Sequence, residues 1–196
     1  MKKKFVPIIG LLTVSPLPAI GQSISLTEDT LIVSNMNGLK EKVAQQIRQL
    51  REQKYTCSQA TFLGICKTLG SNLTEEQIMA ISSGFAGGIG RTFNEGTCGA
   101  LVAGSMALGL YLPGQNEKTI ALSKELFDHF KQREGTVICG NITQKHGFTR
   151  CTGCCMCVGE KVTELLQREN TSISAQSLVS WDDAITKIDN SLNTEK

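Results

Sequence analysis

The 196-residue sequence predicts an all-α domain, a compact helical bundle with a cysteine-rich loop before its penultimate helix. Two observations predict this class. Beyond Gly21 the apolar residues recur at spacings of three and four, the period of an amphipathic helix, and no run of alternating β-branched residues offers a strand. Helix start and stop signals punctuate the same stretch. A chain that is 40% hydrophobic and 19% charged suits one soluble domain, or one core with a tail, and excludes a collagenous or wholly disordered polymer.

Each element follows from local residues. Leu39, Val43, Ile47 and Leu50 form an apolar stripe, the first helix, ending in QLREQK. Tyr55 to Leu69 is the second, closed by Gly70. Thr74 to Gln77 reads as a capping box that opens the third, LTEEQIMAISSGF. A glycine-rich bend, GFAGGIGRTFNEG, leads to the fourth, TCGALVAGSMALGL, which Pro113-Gly114 follows. The fifth runs from about Glu117 to Arg133, with Ile120, Leu122, Leu126, Phe127 and Phe130 apolar, and stops before Gly135. A cysteine-dense loop from Cys139 to Cys157 precedes the sixth, VGEKVTELLQRE. The polar tail over 171–196 holds Leu178, Trp181, Ile185 and Ile188, enough for one short amphipathic helix.

The first 21 residues read as a signal peptide, with Lys2, Lys3 and Lys4 at the start, an apolar stretch from Phe5 to Val14, and small Ala19 and Gly21 at a cleavage site. Pro7, Pro16 and Pro18, and an apolar core well short of the ~20 residues that span hydrocarbon, argue against an anchor. The expectation is an exported protein, periplasmic or secreted, with a domain over 22–170. The formal charge is +2, and setting aside the three lysines of the signal segment leaves −1, which offers no electrostatic case for nucleic acid or an anionic membrane surface. Two Tyr and one Trp are too few for the stacking platform of a single-strand binder.

Chemistry rests on eight Cys against two His. Cys98 stands in the first turn of the fourth helix and Cys57 in the first turn of the second, where unpaired N–H groups and the helix dipole favour a thiolate. The fourth helix carries Gly96, Gly99, Ala100, Ala103, Gly104, Ala107 and Gly109. Glycine costs roughly 1 kcal/mol against alanine in a helix interior, so a gain from close packing or ligand access must offset it. Gly96 and Gly99, flanking Cys98, are accordingly candidate cofactor-binding positions. Cys57 and Cys66 are nine residues apart, on opposite sides of one helix, which makes Cys66 a buried bystander. Cys139 follows Thr136-Val137-Ile138, a β-like run, and Cys151-Thr-Gly-Cys154-Cys155-Met-Cys157 packs four thiols into seven residues. That density suits a metal chelate or a reversible disulfide, and not all four can bridge one another without strain. Adjacent Cys154 and Cys155 point in different directions, so at most one faces the Cys57 and Cys98 site, while the other joins Cys151 or Cys157 in a separate chelate or bridge.

With these residues in hand, the stretch from about Tyr55 to Leu166 resembles the C_GCAxxG_C_C family of redox-active proteins, named for its cysteine pattern. The resemblance is carried by Cys57 in YTCSQA, by SSGFAGGIGRTFNEGTCGALVAGSMALGL with Cys98, by Cys139 in VIC, and by a final cysteine among 151–157 before VGEKVTELL. The named stretch reads TCGALVAG here, and the last cysteine is multiplied, so the family's final position falls on any of Cys151, Cys154, Cys155 or Cys157. The resemblance implies a helical domain whose dispersed cysteines converge on a redox centre, thiol–disulfide or iron–sulfur. Since some relatives are joined to multihaem electron carriers, it also implies a redox partner protein such as a cytochrome.

Two function classes follow. In the first, an electron-transfer or sensing module, an oxidoreductase component at most, holds an iron–sulfur cluster on Cys57, Cys98, Cys139 and a late cysteine from Cys151, Cys154, Cys155 and Cys157. In the second, an exported chain with an even number of cysteines is a thiol–disulfide protein whose centre is a redox-active disulfide, or a disulfide-stapled interaction domain. Zinc or copper(I) would use the same thiolates. Four thiols within seven residues put the cluster narrowly ahead. Other chemistries lack their motifs. GFAGGIG lacks the Gly-Lys-Ser or Gly-Lys-Thr ending of a phosphate loop, and Cys154 is followed by Cys155 where haem attachment needs histidine. His129 reads as a surface or satisfied residue, and His146 as a polar loop residue that could replace a thiolate; neither forms a Cys–His catalytic pair.

Overall fold

Ile47, on the first helix, sits where two glycines leave room for it, and its surroundings set the layout of the molecule. A Cβ on Gly64 would lie 2.4 Å from Ile47 Cγ1, and one on Gly159 would lie 2.3 Å from its Cδ1. The computed structural model describes the backbone of residues 28–169 and the side chains from residue 37 onward. The expected signal peptide over 1–21 and tail over 171–196 lie outside the described residues. The helices are α1 (Glu28–Glu52), α2 (Cys57–Leu69), α3 (Glu75–Ser82), α4 (Gly99–Tyr111), α5 (Asn116–Glu134), α6 (Cys139–His146) and α7 (Arg150–Arg168). Single 3₁₀ turns at Ser83–Phe85 and Ile89–Arg91 carry the chain from α3 to α4. Among the described residues there is no strand, only an isolated antiparallel bridge between Thr97 and Ile138. The all-α bundle is therefore what forms, and no helix among the described residues is long and apolar enough to cross a membrane.

The bundle is built around α7, which packs against α1, α2, α4 and α5. Val43, Ile47 and Leu50 of α1, Leu63 and Ile65 of α2, Leu108 of α4, Leu126 and Phe130 of α5, and Val158, Val162 and Leu165 of α7 are buried together. The small residues of α4 serve this packing: a Cβ on Gly104 would lie 2.5 Å from Val158 Cγ1 and 2.8 Å from Leu126 Cδ2. Polar contacts close the outer edge of the α5–α7 pair. Glu125 takes Arg168 at 2.7 Å and Lys161 at 3.0 Å, and the two cations hold its carboxyl down to about 2.

Helix boundaries follow their signals. Thr74 and Gln77 close the expected capping box on α3, and Thr56 with Gln59 closes a second one on α2. Gly135, at φ 77°, ends α5 in the left-handed conformation. Of the apolar residues of α5, Ile120 is 63% exposed, because the helix turns its Leu122, Leu126 and Phe130 face inward. One expectation is corrected. The segment from Cys139 to Cys157 is not a loop. It forms all of α6 and the first two turns of α7, so all four late cysteines are helical. The cysteines and glycines there are weak helix formers, yet Cys154, Cys155, Cys157 and Val158 are all buried, and tertiary burial outweighs propensity.

Candidate functional site

The Thr97–Ile138 bridge sets the starts of α4 and α6 side by side. Cys98 N–H donates to the Val137 carbonyl at 2.8 Å, and Cys139 N–H donates to the Gly96 carbonyl at 3.0 Å. Cys98 is the N-cap residue of α4, and Cys139 opens α6. The glycine-rich bend draws α2 to the same place. A Cβ on Gly99 would lie 2.2 Å from the Phe85 carbonyl oxygen and 3.0 Å from Cys57 Sγ, so the glycine lets the Cys57 sulfur approach the start of α4. Gly96 is equally constrained, since its Cβ would lie 2.7 Å from Gly88 Cα. Both glycines expected at the cofactor site are thus points of close backbone or sulfur approach.

Helix α7 supplies the other wall. Residues three apart share a face of a helix, and Cys151 and Cys154 both turn toward Cys98. The Cys154 thiol donates to Cys98, and Cys151 lies where the charges of Cys57 and Cys98 raise its pKa beyond the effect of burial. Cys139 likewise feels Cys98, Cys57 and Cys151. Five thiols from four helices therefore share one environment. Cys57 and Cys151 are half-buried and form its mouth, with Cys98, Cys139 and Cys154 buried behind them.

Electrostatics separates the five. The bond from Cys154 holds Cys98 below the ordinary thiol range, and the N–H groups of Ala100 and Leu101 at the start of α4 act the same way against the opposing effect of burial. The neighbouring Cys98 pushes Cys154 strongly up, as does its burial, so of this pair Cys98 loses its proton first and Cys154 holds its own. Burial pushes Cys139 up to about 12 and raises Cys57 and Cys151, the N–H of Gly87 partly offsetting this at Cys57.

Three charged residues that sequence reasoning missed flank the thiols. Arg51, at the end of α1, lowers the pKa of Cys57, Cys151 and Cys155, and its Nε is buried without a hydrogen-bond partner. Glu134, 2% exposed, accepts from Arg150 Nε at 2.8 Å and from its guanidinium NH2 at 2.7 Å, a bidentate clamp from the last residue of α5 to the first of α7. No motif marks these residues; the faint signal was a basic end to the first helix and an Arg one residue before the late cysteines.

Cys155 lies directly behind the five: it is fully buried, feels the charges of Cys57 and Cys98, and its thiol donates to the Cys57 carbonyl at 3.6 Å. The other two cysteines lie apart. Cys66 sits beside Ser71 and Tyr111, where burial pushes it up to about 12. Cys157 faces away from the five-thiol environment, toward His129 Nε2 at 3.6 Å. His129, expected to lack a cysteine partner, thus has one, because His129 on α5 meets the face of α7 that Cys157 shares with Lys161. His146 is exposed in the last turn of α6.

All eight cysteines are free thiols. A donor set of thiols is the chemistry that iron–sulfur clusters, zinc and copper(I) select. As the side chains stand, no three or more Cys, His, Asp or Glu among the described residues are set to hold a metal ion. No curated protein and no solved structure matches the chain. The family model described as "Putative redox-active protein (C_GCAxxG_C_C)" matches residues 55–168, more than half of the sequence. The chain belongs to this family, and its redox character accords with the five thiols gathered between α2, α4, α6 and α7.

Proposed function

We propose that the chain is a thiol–disulfide redox protein whose working pair is Cys98 and Cys154. What supports this reading is the placement of Cys154 beside Cys98 at the start of α4, where Cys98 ionises more readily than Cys154 and so stands as the nucleophile next to a protonated thiol. Oxidation of the pair forms one S–S bond and passes two electrons to the oxidised partner, a disulfide or an electron-carrier protein such as a cytochrome; the protons the pair still carries, one when Cys98 has ionised and two when it has not, go to the partner's thiolates or to water. Cys57 and Cys151 at the mouth are the thiols that an incoming partner meets first. Export directed by residues 1–21 would place the centre in an oxidising compartment, where such pairs are maintained.

The test is to equilibrate the full chain in dithiothreitol mixtures of graded potential, trap the thiols by alkylation and map the peptides. The expected product is a Cys98–Cys154 disulfide that forms in one two-electron step and is lost in Cys154→Ala. A wild-type chain that oxidises elsewhere, with Cys98 and Cys154 still free, defeats the reading.

A second reading is favoured by the surplus of thiols, since a disulfide needs two and this environment has five. In it Cys57, Cys98, Cys139 and either Cys151 or Cys154 hold an iron–sulfur cluster, which would supply one-electron transfer. The helix-start N–H groups beside Cys98 would hydrogen-bond a ligand sulfur and raise its potential. Visible absorbance with iron and sulfide analysis on anaerobically prepared protein separates the two: a charge-transfer spectrum with stoichiometric sulfide supports the cluster, and a colourless protein with the full count of free thiols supports the dithiol.

A further inference from the structure

Cys157 and His129 lie at one side of a separate cavity of about 340 Å3 between α1, α5 and α7. Three features set it apart from the thiol centre. Cys157 is 2% exposed and lies in the cavity wall with its sulfur 3.6 Å from His129 Nε2, a thiol beside a base. Burial raises the pKa of this thiol, and the charge of Arg133 in the same wall acts against that. The rest of the wall carries both signs of charge: Lys161 is paired with Glu164 at 2.6 Å and with Glu125 at 3.0 Å, and Lys40 stands with Glu41 and Glu160. A cavity of this size accommodates a small molecule, and walls of mixed charge match a ligand that itself carries carboxylates and an ammonium group.

We propose that this cavity is a second thiol site, at which Cys157 exchanges with the disulfide of a zwitterionic low-molecular-weight thiol, assisted by His129. The Cys157 proton passes to His129 Nε2. The sulfur attacks one sulfur of the disulfide RS–SR, whose S–S bond breaks as the Cys157–S–S–R bond forms. The departing RS− takes the proton from the imidazolium. The Cys157 sulfur is oxidised and one reagent sulfur is reduced, so electrons balance without a further oxidant. Arg133 and Lys40 hold the reagent's carboxylates, and Glu41 and Glu160 its ammonium group. Nothing in this step involves Cys98 or Cys154, and the site stands whether the main centre holds a disulfide or a cluster.

The test uses the full reduced chain with glutathione disulfide and, in parallel, with neutral 2-hydroxyethyl disulfide, followed by alkylation and peptide mapping. A mixed disulfide is expected on the Cys157 peptide, formed faster with glutathione disulfide than with the neutral reagent. His129→Asn, with thermal unfolding checked, should slow it by about a hundredfold, the lower end of what a positioned base contributes. In the wild-type chain an excess of reduced glutathione should also protect Cys157, but not Cys66, from alkylation, a result that needs no variant. The proposal is overturned if Cys157 stays unmodified, if a folded His129→Asn reacts at the wild-type rate, if the two disulfides react equally, or if reduced glutathione gives no protection. Cys154 and Cys157 share the peptide 151–161, so fragment-ion sequencing assigns the modified sulfur, and the Cys157 adduct and the Cys98–Cys154 disulfide can then each fail without the other.

Discussion

Cys98 shows how far one residue's chemistry depends on its neighbours. The eight thiols are the same group with the same ordinary pKa, and burial alone raises every one. Only Cys98 among them is shifted down, because the Cys154 S–H and the α4 N–H groups stabilise its anion more than burial destabilises it. The pH dependence of iodoacetamide alkylation, read peptide by peptide, should therefore reach half its maximum at a lower pH for Cys98 than for any other cysteine. Cys154→Ala removes the largest of the stabilising contacts and should move that midpoint upward, while Cys66→Ala, with Cys66 placed beside Tyr111 and Ser71, should leave it in place. A Cys98 midpoint that does not respond to Cys154→Ala would mean that the helix start alone sets it. Cys57 and Cys98 were legible as helix-start thiols, since the position relative to a capping signal is written locally. The charged neighbours Arg51, Glu134 and Arg150 were not, because they reach the site through the packing of α1, α5 and α7.

The elements show where local signals sufficed and where they failed. The Thr74–Gln77 capping box, the terminal glycine of α5 and the 3.6-residue stripes located α2 to α5 to within a few residues, and the end of α1 but not its start at Glu28, eleven residues before the Leu39 stripe. The four late cysteines misled because dense cysteine with glycine resembles a metal-binding loop, while the force that makes this segment helical is burial against α1 and α2, which no local pattern displays. Helix α4 allows a paired test of its glycines. At Gly104 a Cβ would lie within 2.8 Å of Val158 and Leu126, whereas at exposed Gly109 the nearest atom is Thr119 Cγ2 at 3.9 Å. Gly109→Ala gains helix propensity without a clash and should stabilise by about 0.5–1 kcal/mol. Gly104→Ala gains the same propensity but forces two branched side chains apart, and overpacking of about 1–3 kcal/mol should leave it less stable than wild type. Urea midpoints that shift in opposite directions confirm the assignment, and equal shifts would show that the α4–α7 contact is looser than described.

On the scale of the whole molecule, the all-α fold was legible from composition and period; the convergence of Cys57, Cys98, Cys139 and a late cysteine was expected from the helix-start thiols and the family resemblance, but not the two-residue bridge between Thr97 and Ile138 that brings α4 and α6 together, which no helical pattern encodes. That convergence, together with burial of Cys66 elsewhere, has a global consequence for stability. Burial holds Cys66 and Cys139 at about 12 in the folded chain against an ordinary 9.0. Between these values the unfolded chain has lost protons that the folded chain still binds, so stability must fall as pH rises through the window from 9 to 12. The loss comes at high pH because thiols ionise by losing a proton and folding here opposes it. For the reduced protein, unfolding in urea at pH 9 and at pH 10.5 should show this decline, with other alkaline groups contributing as well. Cys66→Ala isolates one thiol: it should lose roughly 1.5 kcal/mol less between the two pH values than the wild type does, whatever its cost in packing at pH 7. An alkaline decline identical in the two proteins would mean that Cys66 ionises in the folded state as readily as in the unfolded chain, and that the packing of α2 against Tyr111 is open to solvent.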